Sequence, residues 1–298
     1  MKYGISIVGA GRVGRALGHR LHQSGWAIHA VVTRSPSTAR RAVRSIGAGH
    51  GQGDISVGVF SAPVILIAVP DSAIDGTVKR LASFGSEHLQ RRTVLHTSGA
   101  LSSSSLAGLR DFGAAVGSLH PLQTFSGVGI PAVEGRVFAI EGDPRAVRVA
   151  RSITRTLGGQ AVQLNATAKP LYHAAAALAS GQVLALVESA LQLFISIGMK
   201  RREALKALLP LTGQVLENLQ RIGPRAAWTG PLARGDYGVI ELHEKSLQAA
   251  APEYLEAYRA MNRLAARVLA RDPVAVIGEL AKSHGKIAAP SKMTGATA

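Results

Sequence analysis

Near its start the chain runs from an apolar strand straight into a glycine-spaced turn and a helix: Ile5-Ser6-Ile7-Val8-Gly9-Ala10-Gly11-Arg12-Val13-Gly14-Arg15-Ala16-Leu17. In a Gly-x-Gly-x-x-Gly turn each glycine has a mechanical reason. Gly9 permits the sharp exit from the strand, and Gly11 lets a pyrophosphate approach bare backbone. Gly14 lets the new helix pack against the strand, while the free N–H groups at the helix start face anionic phosphates. The segment Gly9, Ala10, Gly11, Arg12, Val13 and Gly14 is therefore the expected phosphate-binding turn. A helix through Leu17 and Leu21 and a second strand, Ala27-Ile28-His29-Ala30-Val31-Val32, complete a β-α-β unit around it. That context separates the turn from a glycine-rich loop that binds nothing.

The end of the second strand says which dinucleotide to expect. An NAD-binding unit carries Asp or Glu about 20 residues past the fingerprint, against the ribose 2′-hydroxyl. Here stand Thr33, Arg34 and Ser35, with Arg40 and Arg41 close behind. A carboxylate would repel a 2′-phosphate, whereas a guanidinium and two hydroxyls bind one. The expected cofactor is NADP(H), held by a Rossmann unit.

At 298 residues the chain can form two domains, each with a core. Hydrophobic residues at 47% and charged residues at 17% describe a globular protein. The absence of cysteine excludes disulfides, thiolate metal sites and a cysteine nucleophile, and fits a reducing, cytoplasmic setting; no metal is expected. The first strand starts almost at Met1, so no signal peptide is expected. The apolar stretch 174–187 is interrupted by Ser180, Gly181 and Gln182, with Glu188 beyond. It reads as shorter than the roughly 20 residues of a membrane span, and no membrane partner is expected. The net charge of +16 is scattered along helices, as at Arg145, Arg148, Arg151 and Arg155, and aromatic residues make up only 4%. Stacking platforms are scarce, so nucleic acid is not an expected partner, although the positive field would attract an anionic cofactor or substrate.

Residues 1–165 alternate strand and helix, the pattern of a doubly wound parallel sheet. Strands are expected at 63–69, 93–97, 114–119, 137–140 and 161–164, with a helix over 144–157. The glycine-rich segment 47–53 reads as a flexible loop. Asp71 is the expected N-cap of a helix through Ile74, Val78 and Leu81, and the serines from Ser102 to Ser105 are expected to cap the helix that follows. From Ala166 the pattern becomes helical: 168–197, 201–220, 239–249 and 253–271. The fold class is α/β, a Rossmann domain (1–165) followed by an all-helical domain (166–284) for substrate and dimerisation. A disordered tail is expected over 285–298. The helix at 168–197 is apolar on more than one face, so a homodimer through the C-terminal helices is expected.

A Rossmann domain followed by helices places the nicotinamide at the carboxyl ends of the strands, in a cleft between domains. The strand ends offer Val69-Pro70-Asp71, Thr97-Ser98-Gly99 and Leu119-His120-Pro121. Val69, Pro70 and Asp71 are candidate cofactor contacts. Reduction of a carbonyl or imine also needs a proton donor and a group that polarises the acceptor. Lys169 and His173, four positions apart on one helix face, are the leading candidates, against readings as a surface charge and a core histidine. His120, directed by Pro121, is a third catalytic candidate. Ser98, Arg234 and Asp236 are candidate substrate ligands, with a local Arg–Asp ion pair as the alternative for the last two.

Six strings in order, Gly9-Ala10-Gly11-Arg12-Val13-Gly14, Val69-Pro70-Asp71-Ser72-Ala73-Ile74, His96-Thr97-Ser98-Gly99-Ala100, Ser118-Leu119-His120-Pro121-Leu122-Gln123-Thr124-Phe125, Lys169-Pro170-Leu171-Tyr172-His173-Ala174-Ala175 and Thr229-Gly230-Pro231-Leu232-Ala233-Arg234-Gly235-Asp236, carry a resemblance. Over residues 3–271 the chain resembles a bacterial family joining a Rossmann-like domain to a helical C-terminal domain of unassigned function. That family is similar to deazaflavin-dependent NADP oxidoreductases. More distantly the chain is similar to 6-phosphogluconate and β-hydroxyacid dehydrogenases, pyrroline-carboxylate reductase and ketopantoate reductase. The resemblance implies NADP(H) binding and homodimerisation through the helical domain. Lys169 matches the catalytic lysine of β-hydroxyacid dehydrogenases, but His173 stands where those enzymes have asparagine. The expected activity is reduction of a small carbonyl or imine compound. Ketopantoate-type 2-oxo acid reduction and a non-catalytic NADPH-binding sensor are the alternatives.

Overall fold

The structure is a computed structural model that describes residues 4–288. It divides into two compact units, Met1–Ser180 and Gly181–Ala298. The division falls later than the 165/166 boundary read from the sequence. The physical reason is that the helix starting at Lys169 is bonded through its side chains to the ends of strands in the first unit.

The first unit is built on an eight-stranded sheet of order β3-β2-β1-β4-β5-β6-β7-β8. Its strands are β1 (Gly4–Val8), β2 (Ala27–Val32), β3 (His50–Gln52), β4 (Val64–Ile67), β5 (Thr93–His96), β6 (Ala115–Pro121), β7 (Val137–Gly142) and β8 (Gln160–Gln163). All neighbours pair parallel except β6 with β7. A parallel sheet covered on both faces needs strands that are apolar throughout, and Val64-Ile65-Leu66-Ile67 is buried at every position. Alternate residues feed two cores. Val64 and Leu66 join Leu17 and Leu21 of α1 (Arg12–Gln23) and Ile46 of α2 (Pro36–Ile46). Ile65 and Ile67 join Ile74, Val78 and Leu81 of α3 (Ile74–Ala82). This is the two-residue period of a strand, read out as two helical layers.

Three local expectations are corrected. Within the supposed loop 47–53, His50–Gln52 forms the edge strand β3, paired with β2 from Ala30 to Val32. It has no apolar pattern because it lies at the sheet edge. Asp71 does not cap α3: a 3-10 turn, Asp71–Ala73, leads into that helix without a side-chain cap, and the carboxylate is used elsewhere. The serine run leads into a 3-10 helix, Ser103–Phe112, again without a cap from Ser102. Instead Ser103 donates its N–H and hydroxyl to the buried carboxylate of Glu141 on β7, both at 2.7 Å. Short α4 (Ser86–Leu89) and α5 (Pro144–Thr156) complete the sheet's cover.

The 166–196 region is one continuous helix. It comprises a 3-10 turn (Ala166–Ala168), α6 (Lys169–Ala177), a π turn (Leu178–Gln182) and α7 (Val183–Ser196). Ser180 donates its hydroxyl to the Ala176 carbonyl at 2.7 Å, so a residue read as an interruption is satisfied within the helix. By length and composition this helix could cross a membrane, which corrects the reading of the stretch as too short. The second unit continues with α8 (Arg201–Ile222), α9 (Pro224–Ala227), α10 (Pro231–Arg234), α11 (Tyr237–Ala250), α12 (Leu255–Leu269) and α13 (Pro273–Ala288). Arg201 grips Glu188 at 2.8 and 3.0 Å, tying α8 to α7, and Arg259 of α12 pairs with the buried Glu244 of α11 at 2.7 Å. The expected disordered tail is helical up to Ala288, and its remainder, 289–298, lies outside the described residues.

Candidate functional site

The strand order reverses at β1, which lies between β2 and β4, and a cleft of about 620 Å³ opens at the carboxyl ends there. This is where open α/β sheets bind ligands. Gly9 has φ +93°, and a Cβ on it would lie 2.6 Å from the Ala68 carbonyl carbon. A Cβ on Gly14 would meet the Gly9 carbonyl oxygen at 2.4 Å. Gly11 differs: nothing lies within 4 Å of its missing Cβ, so that side of the turn is open. Gly11 precedes α1 without a side-chain cap, and the first turn of α1 carries no acidic residue. The amides of Arg12, Val13 and Gly14 are thus available to an anion.

Thr33 and Arg34 line the far side of the cleft, and Arg34 is exposed. Ser35 does not line it. Its hydroxyl accepts the Thr38 N–H at 3.3 Å and caps α2, a role the sequence also allows because Pro36 follows at the first helical position. Thr38, which sequence reading missed, lines the cleft in its place. Val69 and Pro70 form the near wall. Asp71 turns away, accepting the Ser98 hydroxyl at 2.9 Å, while the Ser98 oxygen accepts the Leu101 N–H at 2.9 Å. Both expected ligand groups, Asp71 and Ser98, are committed to each other, and they join the rim of the cleft to the end of β5.

Lys169 lies beyond that link. It is 1% exposed, and its ammonium donates to the Ser98 carbonyl at 2.7 Å and to the Ser118 hydroxyl. Burial pulls its pKa down to about 8, opposed by the carboxylates of Glu141 and Asp71. The pairing of Lys169 with His173 on one helix face is not what the side chains do. Lys169 is enclosed, whereas His173 is exposed and its ring lies beside Gly99.

Two imidazoles meet at Gly99. A Cβ there would come within 2.3 Å of His173 Cδ2 and 2.8 Å of His120 Nε2, so only glycine lets both imidazoles approach. His120 and His173 stand edge to face with centroids 5.7 Å apart. His120 Nδ1 shares a hydrogen bond of 2.9 Å with the hydroxyl of Tyr172, a residue that sequence reading passed over. The signal was weak, a tyrosine inside a matched string with its partner on a distant strand. Burial, then the Lys169 ammonium and the neighbouring His173 ring, hold the His120 pKa near 4, so its imidazole is neutral at pH 7. Burial pushes the Tyr172 phenol up to about 12, keeping it protonated.

Arg234 and Asp236 belong to the second unit, where they pair at 2.9 Å across a turn closed by Gly235 at φ +75°. The guanidinium and carboxylate expected to hold a substrate hold each other. Among the described residues no group of three His, Asp or Glu side chains is arranged to hold a metal ion.

Residues 1–121 match a Rossmann-like domain, and residues 136–265 match a domain of unknown function, DUF2520. No curated protein matches the chain. Among solved structures, a Bacteroides fragilis protein provisionally named an NADP oxidoreductase is 21% identical, with a TM-score of 0.71 over 88% of this chain and 97% of that one. A reductive aminase from Aspergillus terreus, solved with NADPH and ethyl-5-oxohexanoate, is 16% identical, with a TM-score of 0.65 over 90% and 94%. Pyrroline carboxylate reductase from Plasmodium falciparum, solved with NADP, is 14% identical, with a TM-score of 0.57 over 87% and 98%. At these identities the likeness is one of fold.

Proposed function

We propose that the protein is an NADP(H)-dependent oxidoreductase that reduces a small carbonyl or imine compound. The observation that carries this reading is the cleft at the strand-order reversal, with the open Gly11 turn at one wall and Thr33 and Arg34 at the other. Those residues fit a dinucleotide with a 2′-phosphate. The uncapped first turn of α1 offers amides to a pyrophosphate, and Arg34, which forms no ion pair among the described residues, offers a fork to the 2′-phosphate. When bound, the reduced nicotinamide supplies hydride. The named activities of the Aspergillus and Plasmodium neighbours support the choice of an imine or carbonyl acceptor.

In this reading Lys169 contributes positive charge near the reacting atoms and holds the Ser98 carbonyl, while Tyr172, His120 and His173 form the reactive side of the site. The protein works as a cytoplasmic homodimer in which a second copy covers the exposed Leu209, Leu211, Val215, Leu216 and Leu219 of α8. The test is NADPH oxidation against a panel of cyclic imines and 2-oxo acids, preceded by fluorescence titration of NADPH and NADH. Turnover of any panel member with tight NADPH binding supports the reading. NADPH binding without turnover favours a sensor, and no binding overturns both.

A further inference from the structure

The groups at the ends of β5 and β6 that could donate a proton can be sorted by what they already do. Lys169 is enclosed, with its ammonium on the Ser98 carbonyl and the Ser118 hydroxyl. The Ser98 hydroxyl is spent on Asp71. His96 is fully buried, and its Nδ1 accepts the Ser98 N–H at 3.2 Å. What remains is the two imidazoles at Gly99, His120 and His173, and Tyr172 beside His120; within this set only Tyr172 and His120 are hydrogen-bonded to each other.

We propose that Tyr172 is the proton donor of the reduction, and that His120 is the positioning residue that holds its phenol and supports the phenolate left behind. The proposal rests on the reductase reading. With the proton of the neutral imidazole on Nδ1, His120 donates to the phenolic oxygen across 2.9 Å, leaving the phenolic O–H to point to an acceptor. Hydride from the reduced nicotinamide adds to the carbon of C=N or C=O. The π electron pair moves to the nitrogen or oxygen, which takes the phenolic proton, so one hydride and one proton are consumed. The Nδ1–H···O bond then becomes charge-assisted, which favours the phenolate as it forms, and water later restores its proton. Ser118 and His120 are two apart on β6 and share a sheet face, so the ammonium that Ser118 binds lies on the same side as the imidazole.

The test uses the full-length protein and the acceptor found in the panel. Tyr172→Phe keeps the ring and removes only the hydroxyl, and should lower kcat by about 10²-fold or more. NADPH affinity and the KM for the acceptor should stay within about threefold, with the melting temperature as a check on folding. His120→Asn offers an amide N–H close to the Nδ1 position and should retain more turnover than His120→Leu. Tyr172→Phe combined with His120→Leu should be no worse than Tyr172→Phe alone, because the two act as a unit. Turnover by Tyr172→Phe within about threefold of the unaltered protein overturns the proposal, leaves the reductase reading intact and turns attention to His173. Equal loss in His120→Asn and His120→Leu overturns the positioning role. An unaltered protein that binds NADPH yet reduces no acceptor overturns the reductase reading and this assignment together.

Discussion

At the scale of single residues, the chemistry depends on which polar atoms are already committed. Arg34 is uncommitted: it is exposed, lines the cleft and has no ion-pair partner among the described residues. We expect NADPH to bind at least about tenfold more tightly than NADH, since a forked phosphate contact is worth more than about 1.4 kcal/mol. Arg34→Ala should erase most of that preference, and equal affinities in the unaltered protein would refute it. Lys169 is the opposite case. Its pKa, about 8 in the folded state against 10.5 as the ordinary value, means that burial disfavours the charged form. Below pH 8 the folded and unfolded chains are both protonated there, and the cost of the buried charge is fully present. Between pH 8 and 10.5 the unfolded chain binds the extra proton, so this residue's contribution to stability rises with pH. Urea unfolding should show that rise in the unaltered protein relative to Lys169→Met. The same substitution should lower kcat about tenfold or more with NADPH affinity nearly unchanged, because the lost charge acts on the reacting centre.

At the scale of elements, β5 carries the buried His96 and β6 the half-buried His120, both neutral when folded. His96 on β5 and His120 on β6 are both held near pKa 4, in each case mainly by burial and then by the Lys169 charge. Their folded values lie below the ordinary 6.5. Stability is therefore unaffected by them above pH 6.5 and falls as the pH drops from 6.5 through 4, as the unfolded chain takes up protons that the strands exclude. The combined loss should be a few kcal/mol. Chemical unfolding at intervals from pH 7 to pH 4 should show it, and a His96→Asn, His120→Asn variant should give a flatter profile. Gly99 joins these strands to α6. Gly99→Ala puts a methyl where His173 and His120 already stand, so it should displace an imidazole and destabilise the fold by about 1–3 kcal/mol. An unchanged melting temperature would show that the rings yield freely.

At the scale of the whole molecule, the second unit leaves much apolar surface on its helices. On α8, Leu209, Leu211, Val215, Leu216 and Leu219 are 47–63% exposed, and Leu184 on α7 is 69% exposed. Exposed apolar side chains in this number on one pair of helices are what an associating surface carries. We expect a homodimer by light scattering at micromolar concentration. Leu211→Glu with Leu216→Glu should shift it to monomer without loss of NADPH binding, since the cleft proposed for the dinucleotide is built within the first unit. A monomeric mass for the unaltered protein would count against the dimer.

What the chain decides for itself is what sits within one turn or one strand of its own cause. The glycines at 9, 11 and 14 constrain their own backbone, and the run at 64–67 is apolar because both faces of that strand are covered. The mostly parallel sheet and its helical layers were legible on that basis, as was the family resemblance, which the two domain matches support. The candidate site was only partly legible. Thr33, Arg34, Val69 and Pro70 reach the cleft, but the hydroxyls of Ser35 and Ser98 are taken by a helix cap and by Asp71. Edge strand β3 has no apolar face to announce it. The enclosure of Lys169 by Ser98 and Ser118, and the meeting of Tyr172 with His120, join residues more than fifty positions apart. Local periodicity sets which way a side chain leaves its own element. Which partner it meets depends on how the sheet brings distant strand ends side by side, so only the tertiary structure could decide whether the lysine or the tyrosine is free to react.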